Sequence, residues 1–151
     1  MYDRVLPAYR FAAWLLSFAL LACTSSSDFA LDKVVDGVRI YLGVVPAEIV
    51  RGHPKEHPEG QMHDGAPAGS GQYHVMVALF DAKTGQRIDV AEVTAKVAGV
   101  EKKLEVMNIA NAITYGNFFP MSGRGPSHIV VQIRKPGEPR VVEAQFAYKQ
   151  E

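Results

Sequence analysis

Hydrophobic and polar residues alternate in short runs along most of this chain, and glycine and proline separate the runs. Val38, Ile40 and Leu42 alternate with Arg39, Tyr41 and Gly43, the period of a half-buried strand. Residues 34–50 read as one such element, with Pro46 where an edge strand or bulge tolerates it. Residues 73–81 are apolar on both faces: Tyr73, Val75, Val77 and Leu79 on one, His74, Met76, Ala78 and Phe80 on the other. That pattern predicts a central strand. Lys83-Thr84-Gly85-Gln86 predicts a hairpin-type turn. Further strands are predicted over 88–97, 103–109, 113–121, 128–135 and 141–148, with breaks at Gly99, at 122–126 and at 136–139. Residues 90–106 hold several helix formers, but their period-two valines and Gly99 argue against a helix. Seven or eight short strands with turn signals between them predict an all-β, immunoglobulin-like antiparallel β-sandwich.

Two stretches depart from this pattern. The first is the N-terminus. Arg4 and Arg10 precede an apolar run over 11–21 that is too short to span a bilayer. The run ends Leu20-Leu21-Ala22-Cys23, and Thr24-Ser25-Ser26-Ser27 follows. This resembles a bacterial lipoprotein signal, with residues 1–22 removed and Cys23 lipid-modified as the first mature residue. The expected location is the periplasm, with the membrane as partner through the lipid anchor. Residues 23–33 read as a flexible tether, and 34–151 as the β-sandwich domain. Cys23 is the sole cysteine, so no disulfide framework forms within one chain.

The second departure is the loop at 51–72. Pro54, Pro58 and Pro67, with five glycines, exclude a helix there. Long loops in compact domains are usually functional or disordered. Of the five histidines, His53, His57 and His63 lie in this loop and His74 just after it. Met62 and Met76 lie among them. His74 and Met76 are two apart on a strand, so they share a face. His128 opens a later strand. Imidazole with thioether is the donor set of a soft or borderline metal, and thioether participation favours copper. Glu48, Glu56, Glu59 and Asp64 are oxygen donors nearby, which keeps iron or manganese open. The candidate metal ligands are therefore His74, Met76, His63, His57, His53, Met62 and His128. Met107 reads as a core residue.

Charge removes some classes of function. Without residues 1–22, which hold Arg4, Arg10 and Asp3, the 16 basic and 16 acidic residues become 14 and 15, a net of −1. No basic field is left to hold nucleic acid. There is no Gly-x-Ser-x-Gly, no phosphate loop and no Cys/His nucleophile pair, so the chain reads as a binding protein and not an enzyme.

Several pieces together resemble the periplasmic iron-transport accessory proteins, the dimeric copper-binding partners of bacterial iron-uptake permeases. The pieces are Ile40-Tyr41-Leu42, His74-Val75-Met76-Val77-Ala78, Leu104-Glu105-Val106-Met107 and Tyr115-Gly116-Asn117. A looser similarity is to copper-resistance periplasmic sandwich proteins. The resemblance implies an immunoglobulin-like sandwich that binds copper, or iron with copper, through His and Met. It also implies a metal transporter or a second copy of the chain as partner. His74 matches a strand histidine of that family. The family places another histidine just before its Tyr-Gly, and this chain has Thr114 there. A second reading is an immunoglobulin-like scaffold module of the cell envelope that holds no metal.

Overall fold

The computed structural model describes residues 29–54, 65–109, 111–121 and 125–150. Among the described residues nine strands and one short helix follow one another: β1 (Asp32–Val35), β2 (Val38–Pro46), α1 (Ala47–Arg51), β3 (Gln72–Asp81), β4 (Glu92–Val97), β5 (Val100–Lys103), β6 (Glu105–Ile109), β7 (Ala112–Pro120), β8 (Ser127–Arg134) and β9 (Val141–Tyr148). They form two antiparallel sheets, one ordered β1-β2-β3-β7-β6 (sheet A) and the other β5-β4-β8-β9 (sheet B). The expected β-sandwich is the observed one. The strand expected to be central, β3, is the middle strand of sheet A.

The alternation along each strand decides which side chains meet between the sheets. Ile40, Val75, Val77 and Leu79 of sheet A face Val93, Ala95, Val131, Ile133 and Phe146 of sheet B, all buried in one cluster. Each valine, leucine, isoleucine or phenylalanine among them contributes about 1.5–3 kcal/mol by leaving water. Two lysines close the open sides of the sandwich. Lys33 of β1 donates to the carbonyl of Gln145 in β9 and lies 5.3 Å from the Phe146 ring centroid. Lys102 of β5 donates to the carbonyl of Phe118 in β7 at 2.7 Å and lies 5.5 Å from the Phe119 ring.

The first predicted segment is in fact three elements. Asp36 and Gly37, with φ of 48° and 78°, make a two-residue turn that folds β1 back on β2, the geometry that Asp-Gly favours in hairpins. Pro46 then ends β2 and leads into α1, which replaces the expected strand over the last residues of 34–50. Its proline φ of −55° already suits a helix start, and Glu48 in the first turn and Arg51 in the last complement the helix dipole. Ala98-Gly99 makes a second two-residue turn with positive φ at both positions. After it the chain runs along β5 and crosses from sheet B to sheet A at Leu104, which is 1% exposed in the core.

Asp81 closes the hairpin after β3. One of its carboxylate oxygens accepts from the Thr84 amide (2.7 Å), the Thr84 hydroxyl (2.9 Å) and the Lys83 amide (3.0 Å). These bonds hold the Asp81 carboxyl below the usual carboxylate range, the Thr84 amide contributing most.

Among the described residues no helix is long and apolar enough to cross a membrane. Cys23, and the lipoprotein signal and tether read from the sequence, lie outside the described residues apart from the end of the tether.

Candidate functional site

The side chains of sheet A that point away from the core form a second, separate layer. Register places them in rows. Gly43 of β2, Met76 of β3, Gly116 of β7 and Glu105 of β6 pair directly across four strands. One step along, Val45, His74 and Phe118 form the neighbouring row. Met107 of β6 pairs with Thr114 of β7 on the other side.

His74 is the one polar residue among the fully buried positions of the described chain, at 0% exposure. Its ring stacks on Phe118, with centroids 4.6 Å apart and planes 25° from parallel. The cover is α1. Ala47 and Val50 pack on Phe118 with Val45 and Ala66 in a small apolar cluster separate from the main core. Arg51, at the end of α1, binds the returning chain: its guanidinium donates to the carbonyl of Pro67 and, at 3.3 Å, to that of Gly69. The Met121 amide donates to the Gly71 carbonyl at 2.8 Å. Both ends of the 51–72 loop are thus fixed to the framework beside His74.

The convergence point lies over Gly116. A Cβ built on that residue would stand 2.8 Å from His74 Nε2, 2.6 Å from Met107 Cε and 3.1 Å from Met107 Sδ. The imidazole nitrogen and the thioether sulfur therefore lie within about 6 Å of each other, the sum of their two distances from that position. Met76 lies half-buried on the same face, its Cε 3.4 Å from where a Gly43 Cβ would be. Glu105 is exposed at the edge of the face. The Thr114 hydroxyl, beside Met107 in the register, is buried and has no hydrogen-bond partner among the described residues.

The donors on this face are one imidazole, two thioethers and a rim carboxylate. Among the described residues no three His, Cys, Asp or Glu side chains come together as a metal site. Such a face suits a soft cation, which thioether binds, over a hard one that requires several oxygens.

The structure brings together His74 and Met76 as the sequence pairs them. His53 is on the cover, just past the end of α1, its amide donating to the Val50 carbonyl at 3.1 Å. His57, Met62 and His63 lie outside the described residues. His128 is not brought to this face. It lies exposed on the outer face of sheet B, so the whole core separates it from His74. The alternation at 128–135 assigns it outward correctly, but outward from sheet B is the opposite side of the molecule.

Met107 and Gly116 complete this face and were not among the candidate ligands. Met107 is fully buried, as a core residue would be, yet it lies on the outer face against His74. The signal was its spacing. Met107 is two positions along β6 from Glu105, and residues two apart on a strand share a face.

No family model matches the chain, and no curated protein matches it. Solved structures that share its fold include the following two. A DUF4426 family protein from Pseudomonas aeruginosa PAO1 is 16% identical at a TM-score of 0.50, the match covering 80% of this chain and 95% of that one. A copper-bound variant of FetP from uropathogenic Escherichia coli strain F11 is 16% identical at a TM-score of 0.53, with the same coverage. The fold is a FetP-like sandwich. Identity this low carries the fold alone.

Proposed function

We propose that this chain is a copper-binding lipoprotein of the bacterial envelope, anchored through Cys23, that carries copper or serves as accessory to a metal transporter. The observation that carries this reading is the approach of His74 Nε2 and Met107 Sδ to one point over Gly116, on a buried and covered part of sheet A. Met76 is the second thioether, and Glu105 an oxygen donor at the rim. The donor chemistry fits copper, Cu(I) most of all, because thioethers are poor ligands for hard cations and good ones for Cu(I). Iron would draw on oxygen donors, and among the described residues the buried part of this face offers none beyond the Thr114 hydroxyl. The copper-bound neighbour of the same fold supports the same metal, and the resemblance to iron-transport accessory proteins supports a permease as the recipient. In this reading copper is cargo and the protein is a carrier, not an enzyme.

The test is a Cu(I) competition titration of the purified protein against a chelator of known affinity. One equivalent bound, with loss on removal of His74, is the expected result. A wild type without measurable Cu(I) affinity would leave the metal-free scaffold module as the better reading. The anchor is tested apart from the metal. Cys23→Ser is expected to move the protein out of the membrane fraction or leave it unprocessed. Unchanged fractionation would remove the lipoprotein reading.

A further inference from the structure

Gly116 sits in the middle of β7, where glycine weakens a strand and offers no side chain to pack. Its backbone does not require glycine: it is absent from the residues with positive φ, unlike Gly37 or Gly99. The reason for a glycine there lies in the space beside it. A methyl group at 116 would sit 2.8 Å from His74 Nε2 and 2.6 Å and 3.1 Å from Met107 Cε and Sδ. The first two separations are closer than a carbon tolerates, and the third is tight enough that the sulfur would have to give way.

We propose that Gly116 is a specificity-determining residue of the copper site: its missing side chain lets an imidazole and a thioether reach one soft cation together. This rests on the copper-site reading given above. The two donors come from strands on either side of β7, His74 from β3 and Met107 from β6. Any side chain on the strand between them would stand where they meet. The imidazole cannot swing aside freely, because Phe118 stacks on it and Ala47 and Val50 cover Phe118. The thioether can. An added methyl therefore turns Met107 away first, removing the sulfur that makes the site prefer Cu(I) over harder ions.

The molecule contains its own control. Gly43 is also a mid-strand glycine on this face, also without positive φ, and also next to a methionine. A Cβ there would meet Met76 Cε at 3.4 Å and Met76 Cβ at 3.8 Å, with nothing else nearby. It has room for the methyl that Gly116 does not.

The experiment compares the wild type, Gly116→Ala and Gly43→Ala by Cu(I) competition titration and by copper X-ray absorption, which counts sulfur neighbours. The expected result for Gly116→Ala is an affinity loss of about 10- to 100-fold, the range for residues that support metal ligands, with a weakened sulfur signal. Gly43→Ala is expected to match the wild type in both. Retained affinity and sulfur signal in Gly116→Ala, or an equal loss in both variants, would overturn the proposal. If Gly116→Ala does not fold, Met107→Ala is compared with the Met107→Ala, Gly116→Ala double variant. With the thioether gone, the methyl still faces Nε2 at 2.8 Å, so the double variant should hold residual copper more weakly, and equal binding would overturn the proposal. A wild type that binds copper without sulfur overturns the placement of Met107 in the site, and this inference with it. A wild type that binds no copper overturns the site as a whole.

Discussion

His74 and His128 occupy matching places on opposite sides of the molecule. Each lies near the start of a long strand, and each points away from the core between the sheets. One is fully buried and the other exposed. The difference is in their neighbours. Around His74 the outer face of sheet A carries Val45, Phe118, Met107 and Met76, and a helix lies over part of it. Around His128 the outer face of sheet B is polar, with Gln132, Arg134, Glu143 and Gln145 exposed. Gln132 donates to Glu143 at 3.0 Å, Gln145 donates to the same carboxylate at 3.3 Å, and Arg134 pairs with Glu92 at 3.7 Å. Sheet A has therefore built a second apolar layer that can take a ligand out of water, and sheet B has built a solvated surface.

The sharpest way to break this comparison is to remove each histidine. His74→Ala is expected to lower Cu(I) affinity by at least about 100-fold, beyond the range seen when only a ligand's support is altered. His128→Ala should leave it unchanged. Competition titrations on the two variants decide it. Equal losses would mean that the faces are not functionally distinct.

A smaller effect separates the role of Met107 as a ligand from its role as packing. Met107→Leu conserves volume and should cost less than about 1.5 kcal/mol in a urea unfolding curve of the metal-free protein. The same change removes the sulfur, and Cu(I) affinity is expected to fall by about 10- to 100-fold. Unchanged affinity with unchanged stability would return Met107 to the core role that its burial first implied.

Why one face was legible and the other was not follows from what alternation encodes. Period-two spacing says which residues share a face, and it placed Val75, Val77 and Leu79 together, Ile129, Val131 and Ile133 together, and His74 with Met76. It does not say what lies over a face. The cover on sheet A comes from α1, five residues that follow Pro46 and read as the tail of a strand, since Ile49 and Val50 are β-branched. Nor does alternation give strand order. Met107 and His74 reach Gly116 from either side only because β3, distant in the chain, pairs with the far edge of the β6–β7 hairpin. Gly116 was legible only as part of the Tyr115-Gly116-Asn117 resemblance and not as a site residue, because its contribution is the side chain it lacks. The turns were more legible, since Gly85 and Gly99 declare themselves by type, whereas Asp36-Gly37 was lost inside an apparently continuous alternation.

The smallest predicted effect belongs to the solvated face and sharpens the contrast from that side. The Glu143 carboxyl is held below the usual range by the hydrogen bonds from Gln132 and then Gln145. A carboxyl whose value is lowered by folding stabilises the folded state while it is ionised. That contribution is fully present above about pH 4.3, the ordinary value for glutamate, and is lost as pH falls through the lower folded-state value. Glu143→Gln cannot titrate. Urea midpoints measured from pH 7 down to pH 3 should therefore show the wild type ahead of the variant near neutrality, with the gap closing below pH 4.3 or so. The gap should be small throughout, because Glu143 is exposed and water screens its partners. A gap that stays constant with pH would mean that the two glutamines do not distinguish the carboxylate from its protonated form. A large gap would mean that the outer face of sheet B bears structural weight that its exposure does not show.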